Sequence, residues 1–132
     1  MKKISLLLLI VVFITTASFT LLQTKPWNVP ADIAKIVNPV KSDAGSIASA
    51  KTLWSQHCAS CHGKTGLGDG TKAAQLDTTP PDFSKAATQG QSDGSLFYKT
   101  AEGRDDMPGF KKKIPDQEDI WSLVNYMRTF KK

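Results

Sequence analysis

The sequence predicts an all-α protein with three main helices and one candidate functional site near residue 60. Apolar residues recur at helical spacing in three segments, residues 46–58, 93–102 and 116–130. The connections between them are predicted to be loops rather than strands. The first segment runs directly into the motif Cys-Ala-Ser-Cys-His at residues 58–62. At 132 residues the chain has room for one domain behind an N-terminal leader.

The motif contains the two cysteines of the sequence, Cys58 and Cys61, and His62 follows at once. Two thiols at this spacing can each add to one of the two vinyl groups on the same porphyrin edge. The next side chain can then offer an imidazole nitrogen to the iron. This arrangement is the attachment signature of a c-type haem. We therefore interpret Cys58 and Cys61 as covalent attachment points of one haem c, and His62 as the proximal ligand to its iron.

Three alternatives compete for the same residues. A structural zinc site usually needs four ligands, and the remaining histidine, His57, is too close in sequence to the motif for all four donors to converge on one tetrahedron. A thioredoxin-like dithiol belongs in a βαβ context, which the helical flanks do not offer. A short structural disulfide would leave His62 without a role.

The N-terminus is typical of an export leader. Residues 1–3 carry two lysines, and a mostly apolar run follows from residue 4 to residue 22. That run is also near the length that spans a bilayer. Residues 1–22 are therefore predicted to be a signal peptide or a signal anchor. Either one places the folded part outside the cytoplasm, in the periplasm or tethered to the outer face of the cytoplasmic membrane, where bacteria attach c-type haem.

The charge of the chain argues against a nucleic-acid partner. The formal net charge of +5 falls to +3 without the two lysines of the leader. The sequence has no basic stripe interleaved with aromatic residues, as nucleic-acid-binding surfaces do. A local run of positive charge, Lys111-Lys112-Lys113, can steer an acidic redox partner, and the alternative is a solvated charge run.

Residues 23–45 are predicted to form an extended arm, because three prolines interrupt them. One helical turn fits around residues 31–37. Trp27 suggests that the arm packs on the domain, and a free spacer is the alternative. The haem domain is then residues 46–132, a size at which a core without help is marginal. We expect the chain without haem to be largely unfolded.

The three main helices each carry signals at their ends. The helix at 46–58 keeps its apolar residues on one face and delivers Cys58 to the haem edge. The second runs from about residue 92 to residue 102, and Gly103 ends it. The third, at 116–130, has acidic residues in its first turn and basic residues at its end, which match the helix dipole. Its apolar residues occupy more than half of its circumference, which predicts burial on two sides, between the haem and the first helix.

Two loops are predicted to lie against the haem. Residues 63–70 contain four glycines, which permit close approach of the backbone to a flat ligand. They lack the Gly-Lys-Ser/Thr ending of a phosphate-binding loop. A backbone carbonyl near Pro80 and Pro81 is a candidate acceptor for the second ring nitrogen of His62.

A haem iron held by His62 has one axial position left, for which the chain offers Met107, Met127 and His57. Met127 lies on the apolar face of the last helix, where a core methionine is expected. His57 would have to reach around the ring. Met107 lies in a loop beside Pro108, and we predict it to be the distal ligand. With both axial positions filled, the iron can change valence but has no open position for a substrate.

These motifs resemble those of a class I c-type cytochrome, in the bacterial single-haem form with a leader. The resemblance covers about residues 44–132. It rests on Cys58 to Gly63, Gly66 to Gly70, Met107-Pro108-Gly109-Phe110 and Leu123 to Arg128. It implies a cytochrome c fold of three main helices enclosing one haem, with His62 proximal and Met107 distal. It also implies a crossing of the first and last helices, at which Tyr126 matches the aromatic residue of the family and Ala50 replaces its usual glycine.

The sequence thus predicts a monomeric one-electron carrier between membrane or periplasmic redox proteins, rather than an enzyme. The alternative is the haem c subunit of a larger oxidoreductase, or a peroxidase-like enzyme, because a haem domain looks the same alone or docked. A di-haem peroxidase would need two attachment motifs, and the chain has one. A redox or gas sensor is a third possibility, but no appended signalling domain supports it.

Overall fold

The computed structural model describes residues 26–132, so the predicted leader and the first residues of the arm lie outside it. The helices are α1 (Ala31–Ala34), α2 (Ala44–His57), α3 (Ala59–His62), α4 (Ala86–Gln89), α5 (Asp93–Glu102) and α6 (Gln117–Arg128), with a 3-10 turn at Ala73–Gln75. The described residues form no strand, only an isolated bridge between Arg104 and Met107. The predicted all-α fold is confirmed. Between residues 26 and 132, no helix has the length and hydrophobicity needed to cross a membrane.

Helix α2 begins two residues before the predicted start at residue 46. The carboxylate of Asp43 accepts a hydrogen bond from the backbone N–H of Ser46 at 2.9 Å. The Ser46 hydroxyl in turn accepts one from the backbone N–H of Asp43 at 3.1 Å. This reciprocal capping box makes Ser46 the third residue of the helix rather than the first.

Both ends of α5 and the start of α6 lie within one residue of the prediction, whereas α6 ends at Arg128, two residues before the predicted end at residue 130. The Ser92 hydroxyl accepts from the backbone N–H of Ser95 at 3.2 Å, which caps α5. Gly103 ends α5 with a φ of +69°, a conformation that favours glycine. Asp116 caps α6 by accepting from the backbone N–H of Glu118 at 2.9 Å.

Helix α6 lies at the centre of the fold. Residues 120–125 and Met127 are all buried, polar Ser122 and Asn125 among them. The helix packs against both α2 and α5. Its predicted packing against the first helix is therefore confirmed, and packing of its other side against a haem stays a prediction. Ala50 of α2 is fully buried. The rest of the apolar core comes from α2, α5 and the loops around them: Trp54, Cys58, Phe83, Leu96, Ala101, Phe110 and Ile114.

The described part of the arm packs on the domain, and its first contact is Trp27. The Trp27 ring lies 4.6 Å from the guanidinium carbon of Arg104 and 5.4 Å from the Lys99 ammonium nitrogen. Both distances are in the range of a cation–π interaction. The arm therefore touches the end of α5 and the loop that follows it.

A second contact of the arm satisfies a buried amide of α6. The Asn38 side chain donates to the side-chain oxygen of Asn125 and to the backbone carbonyl of Trp121, both at 3.0 Å. Asn125 donates back to the backbone carbonyl of Val40, also at 3.0 Å. Because a buried amide without partners is costly, these bonds hold the arm against α6. Of the two alternatives for the arm, the structure shows the packed one.

Candidate haem attachment site

The motif at residues 58–62 forms a further helical turn at the end of α2. Cys58 ends α2 and precedes α3, and its carbonyl accepts from the backbone N–H groups of Cys61 (3.1 Å) and His62 (2.9 Å). The turn places the two thiols and the imidazole on one short, hydrogen-bonded unit. Cys58 is buried, whereas Cys61 and His62 are half-buried.

The chemistry of the thiols does not match a redox dithiol. Both cysteines are free. Burial raises the pKa of the Cys58 thiol to about 12, and the neighbouring Cys61 adds to the increase. Reactive dithiols instead have a thiol with a depressed pKa. A zinc site also lacks support, because residues 26–132 contain no group of three His, Cys, Asp or Glu side chains that could hold a metal ion.

His62 has the properties of an iron ligand. Its ring lies 5.7 Å from the Trp54 ring and 5.4 Å from the Phe83 ring, centroid to centroid. Burial lowers the pKa of His62 to about 4, so the imidazole is neutral at pH 7, the form that binds a metal. Its Nδ1 atom is buried and has no hydrogen-bond partner among residues 26–132. An unpartnered imidazole nitrogen beside two free thiols fits a covalently held haem.

The predicted hydrogen bond from His62 to a carbonyl near Pro80 and Pro81 is not formed. The carbonyl of Pro80 lies against Gly68 instead, so closely that a side chain at Gly68 would overlap it. The position of the His62 ring comes from its aromatic neighbours, Trp54 and Phe83.

Trp54 is a site residue whose role the sequence did not indicate. Its indole N–H donates to the backbone carbonyl of Gly63, the residue after His62, at 2.9 Å. Its ring also contacts Tyr126 and Phe130 at centroid distances of 5.9 and 5.1 Å. The sequence placed Trp54 only on the inner face of its helix. No local pattern specifies the partner of its N–H group.

The segment that follows the motif folds back on it. The backbone N–H of Gly70 donates to the carbonyl of Cys61 at 3.2 Å, and that of Lys72 donates to the carbonyl of Ser60 at 2.8 Å. The N–H of Gly68 donates to the carbonyl of His62 at 2.9 Å. The glycine-rich loop is thus part of the site, and residues 70–78 lead away from it towards the Met107 loop.

The Met107 loop, residues 103–110, is held at both ends. Met107 and Arg104 exchange two backbone hydrogen bonds, of 2.8 and 2.9 Å. At the C-terminal end of the loop, the N–H groups of Phe110 and of the next residue, Lys111, donate to carbonyls in the last turn of α5, at 3.1 and 3.2 Å. A side chain at Gly103 would overlap the Met107 carbonyl, so this close turn requires glycine. Met107 itself is half-buried.

The two other neutral donors are engaged elsewhere. Met127 is 3% exposed and belongs to the apolar core. His57 is half-buried, and its ring lies 5.9 Å from the ring of Phe110. Neither is held in an irregular loop as Met107 is.

An all-α fold with paired thiols and a neutral, half-buried imidazole on one turn defines a class I c-type cytochrome. Comparison with known families makes this more specific: residues 45–127 match the family described as cytochrome C oxidase, cbb3-type, subunit III. The chain belongs to that family. It is a c-type cytochrome, and haem c is the cofactor of that family.

The relatives agree with this assignment. The cbb3-type cytochrome c oxidase subunit CcoP of Azospirillum sp. (strain B510) is 32% identical over 99 residues. The match covers 73% of this chain and 32% of CcoP, so the chain spans about a third of that relative.

Two solved structures are also similar. The KustC0563 c-type cytochrome is 32% identical, with a TM-score of 0.56, over 63% of this chain and 98% of its own. The Kuenenia stuttgartiensis reducing HAO-like protein complex Kustc0457/Kustc0458 contains a chain with a TM-score of 0.65 over 83% of this chain and 53% of its own. At 21% identity, the second likeness concerns the fold alone.

Proposed function

We propose that this chain carries single electrons through one haem c, with Cys58 and Cys61 as the thioether residues and His62 and Met107 as the axial ligands. The observation that carries the proposal is the half-buried imidazole of His62, which follows the two thiols on one turn and whose buried Nδ1 has no hydrogen-bond partner among the described residues. When bound, a haem iron supplies a one-electron couple.

The residues around His62 suit a proximal ligand. Burial keeps the imidazole neutral, so a nitrogen lone pair is available to a metal at pH 7. Trp54 and Phe83 contact the ring, and the N–H groups of Trp54 and Gly68 hold the peptides on either side of Gly63. The ring is therefore oriented before any ligand binds.

Met107 suits the distal position because its backbone is fixed by hydrogen bonds while its side chain is only half-buried. A thioether and an imidazole together fill both axial positions of a haem iron. They raise its potential and leave no open coordination site for oxygen or peroxide. We infer outer-sphere electron transfer rather than oxygen chemistry.

The proposed setting is outside the cytoplasm, with residues 1–22 as a signal peptide or anchor and with redox proteins of the membrane or periplasm as partners. The second candidate is a subunit of a larger oxidoreductase. Two observations favour it. The description of the family names an oxidase subunit, and CcoP is about three times as long as the segment matched here.

The test of the ligand set is the spectrum of the oxidised, haem-loaded protein. We expect the weak charge-transfer band of a methionine–Fe(III) bond in the far red, and Met107→Ala should abolish it. Met127→Leu, a core substitution of similar volume, should retain the band. A wild-type spectrum without the band, together with rapid carbon monoxide binding to the reduced form, would overturn the His/Met proposal.

The test between carrier and subunit is purification from the native membrane in mild detergent. A carrier should elute alone at the mass of one haem-loaded chain. Stable elution with other haem- or copper-containing chains would instead support the subunit role.

A further inference from the structure

The tip of the Met107 loop makes a contact that the haem ligands themselves do not explain. One carboxylate oxygen of Asp106, Oδ2, accepts hydrogen bonds from the backbone N–H of Asp77 at 2.8 Å and from that of Thr78 at 3.2 Å. These residues are 29 and 28 positions away in the chain. The contact joins the loop to residues 77–78, a segment far from it in sequence.

The joined segment leads back to the attachment motif. Residues 70 and 72 donate to the carbonyls of Cys61 and Ser60, so residues 70–78 begin on the motif and end on Asp106. The Met107 loop also makes hydrogen bonds to the end of α5, and its Arg104 contacts Trp27 of the arm. Asp106 therefore connects, by hydrogen bonds, the part of the chain that carries His62 with the part that carries Met107.

We propose that Asp106 is a positioning residue for Met107, holding the tip of the Met107 loop against residues 77–78. The proposal rests on the proposed function, in which Met107 is an iron ligand. The two residues are adjacent, so a shift of the Asp106 backbone moves the Met107 backbone as well. Hydrogen bonds to an ionised acceptor are stronger than neutral ones. Their loss should increase the fraction of molecules in which the loop is open and the thioether is off the iron.

The experiment uses imidazole, which binds ferric haem only when the distal methionine has left. In Asp106→Ala we expect imidazole to bind the oxidised, haem-loaded protein about tenfold more tightly, because the apparent affinity follows the open fraction. Hydrogen exchange at the amides of Asp77 and Thr78 should accelerate by a similar factor, which is a readout independent of the iron. Asp106→Asn keeps an acceptor oxygen, so its effects should be smaller.

The matched control is Asp105→Asn. It removes the same charge one residue away, and asparagine tolerates the φ of +51° found there. Asp105 pairs with Arg104 at 3.1 Å rather than with residues 77–78. We expect imidazole affinity and amide exchange near the wild-type values, so an effect of charge alone can be recognised.

Three outcomes decide the matter. Tighter imidazole binding and faster exchange in Asp106→Ala, but not in Asp105→Asn, support the proposal. Faster exchange with unchanged imidazole binding, while Met107→Ala binds imidazole tightly, overturns the positioning role and leaves the ligand set intact. If Met107→Ala binds imidazole no more tightly than the wild type, then Met107 is not the ligand, and both proposals fail.

Discussion

Trp54→Phe tests the side chain that links the attachment motif to the core. Trp54 is 2% exposed, and its indole N–H donates to the Gly63 carbonyl at 2.9 Å. The Gly63 carbonyl also accepts a hydrogen bond from the backbone N–H of Gly66 at 3.3 Å, so in the variant this long hydrogen bond is the one that remains among the described residues. We expect the lost hydrogen bond to lower the free energy of unfolding by about 1–2 kcal/mol and the smaller apolar ring to lower it by about 1 kcal/mol more. The free energy of unfolding of the haem-loaded protein should fall by about 2–3 kcal/mol.

The assay is equilibrium denaturation in urea, followed by haem absorbance and by helical circular dichroism. Trp121→Phe is the matched control. Trp121 is 5% exposed and stacks on Phe97 at 4.1 Å, but its indole N–H makes no hydrogen bond to the described residues. This variant should lose only about 1 kcal/mol. Equal losses in the two variants would refute the role given to the bond between Trp54 and Gly63.

Two further predictions concern how the helices and the arm are held together. Arg128 donates to the Asp93 carboxylate at 2.6 and 2.9 Å and to two backbone carbonyls of residues 89–91 at 2.6 and 2.7 Å. Urea denaturation should show Arg128→Met to be less stable by about 2–3 kcal/mol, and Lys131→Met, an exposed control with the same charge loss, within about 0.5 kcal/mol of wild type. A Cβ at Gly94 would overlap a carbonyl oxygen of α1, so Gly94→Ala should destabilise by about 1–3 kcal/mol. Gly45→Ala is the control: it has room for its methyl group and should stabilise the protein by up to about 1 kcal/mol. If Gly94→Ala also stabilised the protein, docking of the arm on α5 would be contradicted.

The features predicted correctly from the sequence are those encoded by short-range chemistry. Gly103 ends α5, and Asp116 caps α6, because caps act within a few residues of the helix end. The predicted start of α2 at Ser46 is two residues late. Its N-cap is Asp43, three positions before Ser46, and the two residues form the capping box across the first turn.

The contacts that could not be predicted join residues far apart in the chain. Asp106 and Thr78 are 28 positions apart, and Asn38 and Asn125 are 87 apart. Nothing in the composition of either segment specifies such a partner. The lysine run shows the same limit. Lys111 pairs with Glu102 at 2.6 Å, so part of the positive charge predicted to steer a partner is already balanced within the domain.

The two sides of the proposed haem site are stabilised by different kinds of interaction, and the reason lies in how each ligand would be connected. His62 follows Cys61 directly, so two covalent attachments would keep its imidazole near the iron at a high effective concentration. Aromatic packing then has only to orient the ring. Met107 has no such attachment, and a neutral thioether is a weak ligand whose binding depends on a loop that is already in place. The hydrogen bonds at Arg104, Asp106 and the end of α5 supply that order, so the distal ligand depends on polar contacts for a position that covalent attachment would give His62.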